Sequence, residues 1–119
     1  MALKKIQTQR FIYISYARES FKELTLFKNT MANIGSLAEE EKDVILDLSG
    51  TDCISSPEIG AIAALVKRLY GSNRFVRIIA DEATKHIMDT TNIGRIKNVV
   101  IYGGLEEFRR KMKASAKQA

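Results

Sequence analysis

The chain has 119 residues, of which 45% are apolar and 28% charged, with a formal net charge of +5. This is the size and balance of one globular domain with a core of its own. The longest apolar run, Ile59 to Val66, is far too short to span a bilayer, and the opening MALKKIQTQR has basic residues with no apolar stretch behind them, so neither membrane insertion nor a signal peptide is expected.

LKKIQ (3–7) is a candidate edge strand, and RFIYISYA (10–17), rich in aromatic and β-branched residues, reads as a second strand. In the following stretch Leu24, Phe27, Met31, Ile34 and Ala38 recur at steps of three and four, the spacing of one helix face. Ser20 with Glu23 three residues on has the pattern of a capping box, and Glu39–Glu41 mark an exposed helix end. DVILDLS (43–49) is a short, continuously apolar run of the kind found in strands covered on both faces. Ile59, Ile62, Ala63, Val66, Leu69 and Tyr70 then mark a second helix, which Gly71 should stop. RFVRIIA (74–80) reads as a strand and DEATKHIMDTT (81–91), with acids at its start, as a short helix. NVVIY (98–102) is the last strand, and a closing helix carries Leu105, Phe108 and Met112 on one face.

This alternation predicts a single α/β domain: a mixed, largely parallel sheet of four to five strands with about four helices packed on it. The domain is expected over residues 1–113, with 114–119 as a frayed basic tail. Five basic residues follow Phe108 with no acid among them. They suit the negative end of a helix dipole; the alternative is an arm for nucleic acid or an acidic surface, which the lack of interleaved aromatics disfavours.

Catalytic signatures are missing from the sequence. Neither G-x-G-x-x-G nor G-x-x-x-x-G-K-[ST] occurs, and GGLEE reads as a strand-to-helix turn. The one cysteine, Cys53, cannot form an internal disulfide and reads as a small buried hydrophobe, which fits a reducing, cytoplasmic setting. His86, the one histidine, lies in another segment, and no Cys and His cluster has metal-ligand spacing. No enzymatic activity, cofactor or small-molecule substrate is expected.

The residues that stand out are ISSPEIGA (54–61), at the junction between the central strand and the second helix. Sites in open parallel sheets gather at the carboxyl ends of strands, which is where this junction falls. Pro57 suits the first turn of a helix, which makes Ser56 a candidate N-cap. Alternatively Ser55 caps, and Glu58 completes the box S-x-x-E. A helix start also attracts phosphate, because its N–H groups are unpaired and carry partial positive charge. Either reading makes this junction the place to look for function.

The order strand, long helix, DVILDLSGTDCISSPEIGAIAALVKRL, strand, short helix, strand, helix resembles a STAS domain, closest to the anti-sigma factor antagonists. VILDLSG is similar to the family's central strand. The junction is similar to its D-S-x-G-[LI]-G-x-[LI] signature, and ATKHIMDTTNIGRIKNVVIYGGLEEF to its late helix, loop, strand and closing helix. The resemblance implies a non-enzymatic module, monomeric or weakly dimeric, that binds an anti-sigma factor with serine-kinase activity and is switched by phosphorylation. It puts the phosphoacceptor on Ser56, with Ser55 as the second candidate. Partner contacts are expected from Ser55, Ser56, Glu58 and Ile59, helped by Asn92 and Arg95. The signature's aspartate is replaced by Ser55 and its small residue and glycine by Pro57 and Glu58, which implies a modified or lost phosphoswitch. The resemblance also admits a structural subunit of a signalling scaffold or lipid-transport complex.

Overall fold

The computed structural model describes residues 3–8, 11–17, 22–36, 42–51, 54–71 and 73–118. Cys53, Ser20, Ala38 and Glu39–Glu41, which carry several of the expectations above, lie outside the described residues. Among the described residues the elements are β1 (Leu3–Gln7), β2 (Phe11–Tyr16), α1 (Lys22–Ser36), β3 (Asp43–Asp47), α2 (Ser56–Tyr70), β4 (Val76–Ile79), α3 (Glu82–Thr90), a 3-10 turn (Ile93–Arg95), β5 (Val99–Tyr102) and α4 (Leu105–Gln118). The α/β architecture expected from the alternation is therefore present. Helical backbone in α4 extends past residue 113, where a frayed tail was expected.

The sheet order is β1-β2-β3-β4-β5. β1 runs antiparallel to β2, and β2 through β5 are parallel to their neighbours. Each crossover from β2 to β5 therefore moves one place in the same direction. With right-handed connections this puts α1, α2 and α3 on one face of the sheet. The register shows the face they cover. Ile12, Val44, Val76 and Val99 align across the parallel strands, as do Ile14, Leu46, Ile78 and Ile101. These rows join Phe27, Met31 and Ile34 of α1, Ile62, Leu65, Val66 and Leu69 of α2, and Met88 of α3 in one hydrophobic cluster.

Two sequence expectations need correction here. Tyr70 was placed on the buried face of α2, yet it is half exposed. The buried stripe is Ile62, Leu65, Val66 and Leu69, and a residue one step beyond Leu69 is turned by about 100° off that stripe. Strand β4 is also shorter than RFVRIIA. Arg74 precedes it and reaches back across the sheet edge, where its Nε donates to the Lys42 carbonyl at 2.6 Å.

The other sheet face carries Tyr13, Ile45, Arg77 and Val100 in one row and Ser15, Asp47, Ile79 and Tyr102 in the next. The Tyr13 hydroxyl donates to Asp47 Oδ2 at 2.6 Å, and Arg77 Nη1 donates to the Tyr102 hydroxyl at 3.0 Å. Helix α4 meets this face through Phe108, whose ring stands edge-on to Tyr102 with centroids 5.1 Å apart. The turn into α4 needs Gly104, whose φ of 137° lies where other residues are strained.

Burial, then the hydrogen bond to Asp47 and its negative charge, push the Tyr13 phenol from 10.0 up to about 12. A folded value above the unfolded one means that the neutral phenol contributes stability. That contribution is fully present below about pH 10 and is lost as the pH rises through about 12. Tyr13→Phe is predicted to remove the latest-ionising tyrosine from an alkaline absorbance titration and to flatten the alkaline loss of stability between these values. Disappearance of a tyrosine ionising at its ordinary value instead would contradict the assignment.

Candidate functional site

The site is built at the carboxyl end of β3. Leu48 continues the sheet pairing, its N–H donating to the Ile79 carbonyl at 2.7 Å. Asp47 Oδ1 accepts from both the backbone N–H and the hydroxyl of Ser49, at 3.0 and 2.6 Å, which holds the chain where it leaves the strand. The next residues are fastened to the end of β2. A Cβ on Gly50 would sit 2.9 Å from the Ala17 Cβ, so the close approach there requires glycine. The Thr51 hydroxyl donates to the Tyr16 carbonyl at 3.0 Å. Ile54 is buried in the core cluster and anchors the entry to α2.

Of the two capping arrangements the sequence allowed, the structure adopts the second. Ser55 is the N-cap, with extended backbone (φ −91°, ψ 163°), and its carbonyl accepts the first helical bond from Ile59 N–H at 3.0 Å. Ser56 is therefore the first helical residue rather than the cap, and Pro57 follows where a missing N–H leaves no bond unmade. Glu58 Oε1 accepts from both the backbone N–H and the hydroxyl of Ser55, each at 2.8 Å.

The other carboxylate oxygen points into the fold. Glu58 Oε2 accepts the Tyr16 hydroxyl at 2.5 Å, and Glu58 has no exposed surface. Tyr16 is buried in turn, its ring tilted against Phe27 of α1 with centroids 4.3 Å apart. The expectation that Glu58 docks a partner is corrected by this burial: a carboxylate with no exposed surface presents nothing to dock. Its place in the first turn suits the positive end of the helix, and three donors satisfy it inside the protein.

The remaining candidates divide by position. Ser56 is exposed at the start of α2, while Ser55 and Ile59 are half-buried beside it. Asn92 and Arg95 are exposed, in the turn that follows α3, with Asn92 left-handed at φ 66°. That turn packs against α3 and β5, and Gly94 lies close to Ile101 and Asp89. It leads into the amino end of β5, whereas the serine junction leaves the carboxyl end of the parallel strand β3. The structure thus brings Ser55, Ser56, Glu58 and Ile59 together but leaves Asn92 and Arg95 towards the opposite end of the sheet.

Sequence reading missed Tyr16. The signal was there: Tyr16 continues the row of Ile12 and Ile14 at the end of β2, and a buried tyrosine needs a partner for its hydroxyl. Among the described residues no group of three or more His, Cys, Asp or Glu side chains is placed to hold a metal ion. None of their helices is long and apolar enough to cross a membrane.

This geometry predicts a strong coupling between Tyr16 and Glu58. Glu58→Ala leaves the Tyr16 hydroxyl buried without its acceptor and is expected to cost about 3 kcal/mol in urea unfolding. Tyr16→Phe is expected to cost about 1–3 kcal/mol, and the double variant less than the sum. Additive losses would show that the two side chains do not act as a pair.

No protein-family model matches the chain, and no curated protein does. Solved structures do. A protein of Thermotoga maritima assigned as an anti-sigma factor antagonist is 21% identical with a TM-score of 0.73, covering 93% of this chain and 94% of its own. An anti-sigma factor antagonist from Mycobacterium paratuberculosis is 15% identical at 0.69, over 87% and 86% of the two chains. An anti-sigma-factor antagonist (STAS) domain protein from Planctomyces limnophilus is 15% identical at 0.71, over 93% and 97%. Across nearly the whole of each chain, then, this protein has the fold of the solved STAS-type anti-sigma factor antagonists.

Proposed function

We propose that the chain is a non-enzymatic regulatory module that works by partner-switching, as an anti-sigma factor antagonist that binds an anti-sigma factor with serine-kinase activity. The observation that carries this is the placement of Ser56: exposed, in the first turn of α2, at the carboxyl end of β3, on a fold shared with proteins described as anti-sigma factor antagonists. A phosphate there would add roughly −1.5 to −2 charges to a docking surface without disturbing the core. Ser55 is the poorer acceptor, because its hydroxyl already donates to Glu58.

The same network supports a modified switch. Glu58 places a carboxylate permanently beside the helix start, where it takes the Ser55 N–H and hydroxyl. A phosphate on Ser56 would meet that negative charge, and Pro57 restricts the backbone a kinase must accommodate. The partner surface is therefore Ser56, Ser55 and Ile59, with Glu58 behind them fixing the helix start. The fixed carboxylate also favours a second reading, in which the domain is a structural subunit with no working phosphoacceptor. The setting is taken as cytoplasmic and the chain as a monomer or weak dimer.

Capture from an extract of the native cell, with wild type beside Ser56→Ala and Ser56→Asp, tests this. Mass spectrometry should identify an anti-sigma factor of the serine-kinase class among the captured proteins. Binding should survive Ser56→Ala and change less than about tenfold in Ser56→Asp. Stoichiometric phosphate on Ser56 that dissolves the complex would overturn the modified switch. Capture of scaffold or transport subunits without any anti-sigma factor would favour the structural reading.

A further inference from the structure

The outer surface between α1 and α2 holds a groove of about 350 Å³ beside the proposed docking surface. It begins at Pro57, next to Ser56, and follows α2 to Arg68, roughly 16 Å or three helical turns. Met31 and Leu65, both buried, form its floor. Gly60 and Ala64 line it on the α2 side, and a Cβ built on Gly60 would meet no atom within 4 Å. Lys28 of α1 and Arg68 of α2 also line it, both exposed, and no acid does among the described residues. Arg68 is held in place, its Nη1 donating to the Ala32 carbonyl at 3.1 Å.

We infer that this groove docks an acidic amphipathic helix of the protein partner. Its floor is apolar, and the small residues beside it let a helix backbone approach closely. Two cations stand along it, no carboxylate lines it among the described residues, and the chain as a whole carries +5. An apolar helix face flanked by glutamates or aspartates complements both features, whereas a basic helix meets like charge. The inference rests on the reading of the chain as a regulatory binding module and extends it. The partner spans Ser56 and the groove together, so the junction controls a contact whose main area lies along α2.

The test uses the isotope-labelled full chain and a synthetic helical peptide with leucines at i, i+3, i+4 and i+7 between glutamates. A second peptide with lysines in place of the glutamates is the control. The glutamate peptide should shift the amide signals of Lys28, Gly60, Ala64 and Arg68 and bind about tenfold or more tightly than the lysine peptide. Gly60→Leu fills the groove from a position with open space above it, and leucine is the better helix former, so the fold should keep or raise its melting temperature while peptide binding is lost. Lys28→Glu with Arg68→Glu should reverse the preference between the peptides. This keeps the test decisive if the leucine variant folds poorly. Equal affinity for the two peptides, shifts centred elsewhere, or undiminished binding in a folded Gly60→Leu overturns the inference. Failure of the regulatory reading itself appears separately, as capture from the native extract that contains no anti-sigma factor.

Discussion

The Glu58 carboxylate ties the start of α2 to the end of β2. It belongs to the first turn of α2, takes the hydroxyl of Tyr16 at the end of β2, and holds the N–H and hydroxyl of Ser55 at the helix start. Tyr16 then leans on Phe27 of α1. A carboxylate without exposed surface is tolerable only because each oxygen has donors, the Ser55 N–H and hydroxyl on one and the Tyr16 hydroxyl on the other. The start of α2 is therefore fixed in position relative to both the sheet and α1. Everything exposed at the junction, Ser56 above all, inherits its placement from this buried contact. A surface held in one shape leaves little ordering to be done if a partner binds there.

The sheet order determines where that surface can be. With β2 to β5 in sequence, α1, α2 and α3 are confined to one face, and α1 and α2 pack side by side. Their junction residues open at the carboxyl edge of β3, and their outer faces together form the groove from Pro57 to Arg68. The opposite face is closed differently. It carries Tyr13, Asp47, Arg77 and Tyr102, linked by hydrogen bonds, with α4 meeting it through Phe108. A face bearing such groups needs internal partners to lie against the protein, and Arg77 of β4 finds one in the Tyr102 hydroxyl.

Fold class was legible because the periodicities are clean. The two valine, leucine and isoleucine rows of β3 and β4 and the stepped apolar residues of α2 leave one arrangement that buries them all. The sequence was less clear where two local rules competed. At the junction, Pro57 favoured Ser56 as the cap and Glu58 favoured Ser55, and the reciprocal bonds of Glu58 decided it. Tertiary contacts were less visible still. Nothing local indicates that Glu58 turns inward, since an acid in a first helical turn ordinarily faces solvent and is stabilised by the dipole alone. The partner that turns it, Tyr16, lies 42 positions away. Asn92 and Arg95 were grouped with the junction by resemblance, and the direction of a parallel strand separates them from it.

The inward turn of Glu58 also changes what the serine pair means. In the sequence, Ser55, Ser56 and Glu58 read as one cluster in which an acid and a candidate phosphoacceptor compete for the same helix start. In the fold they are divided by direction. Glu58 closes the helix from inside, Ser55 is half-buried at the cap, and Ser56 is exposed. A change at Ser56 alters charge and shape on the outside while the capping box remains made, so the surface can be modified without loosening the helix that carries it. The same helix lines the groove with Gly60 and Ala64, about one and two turns from Ser56. A phosphate on Ser56 would then lie at the Pro57 end of that groove, roughly 16 Å or more from Arg68 at the other end.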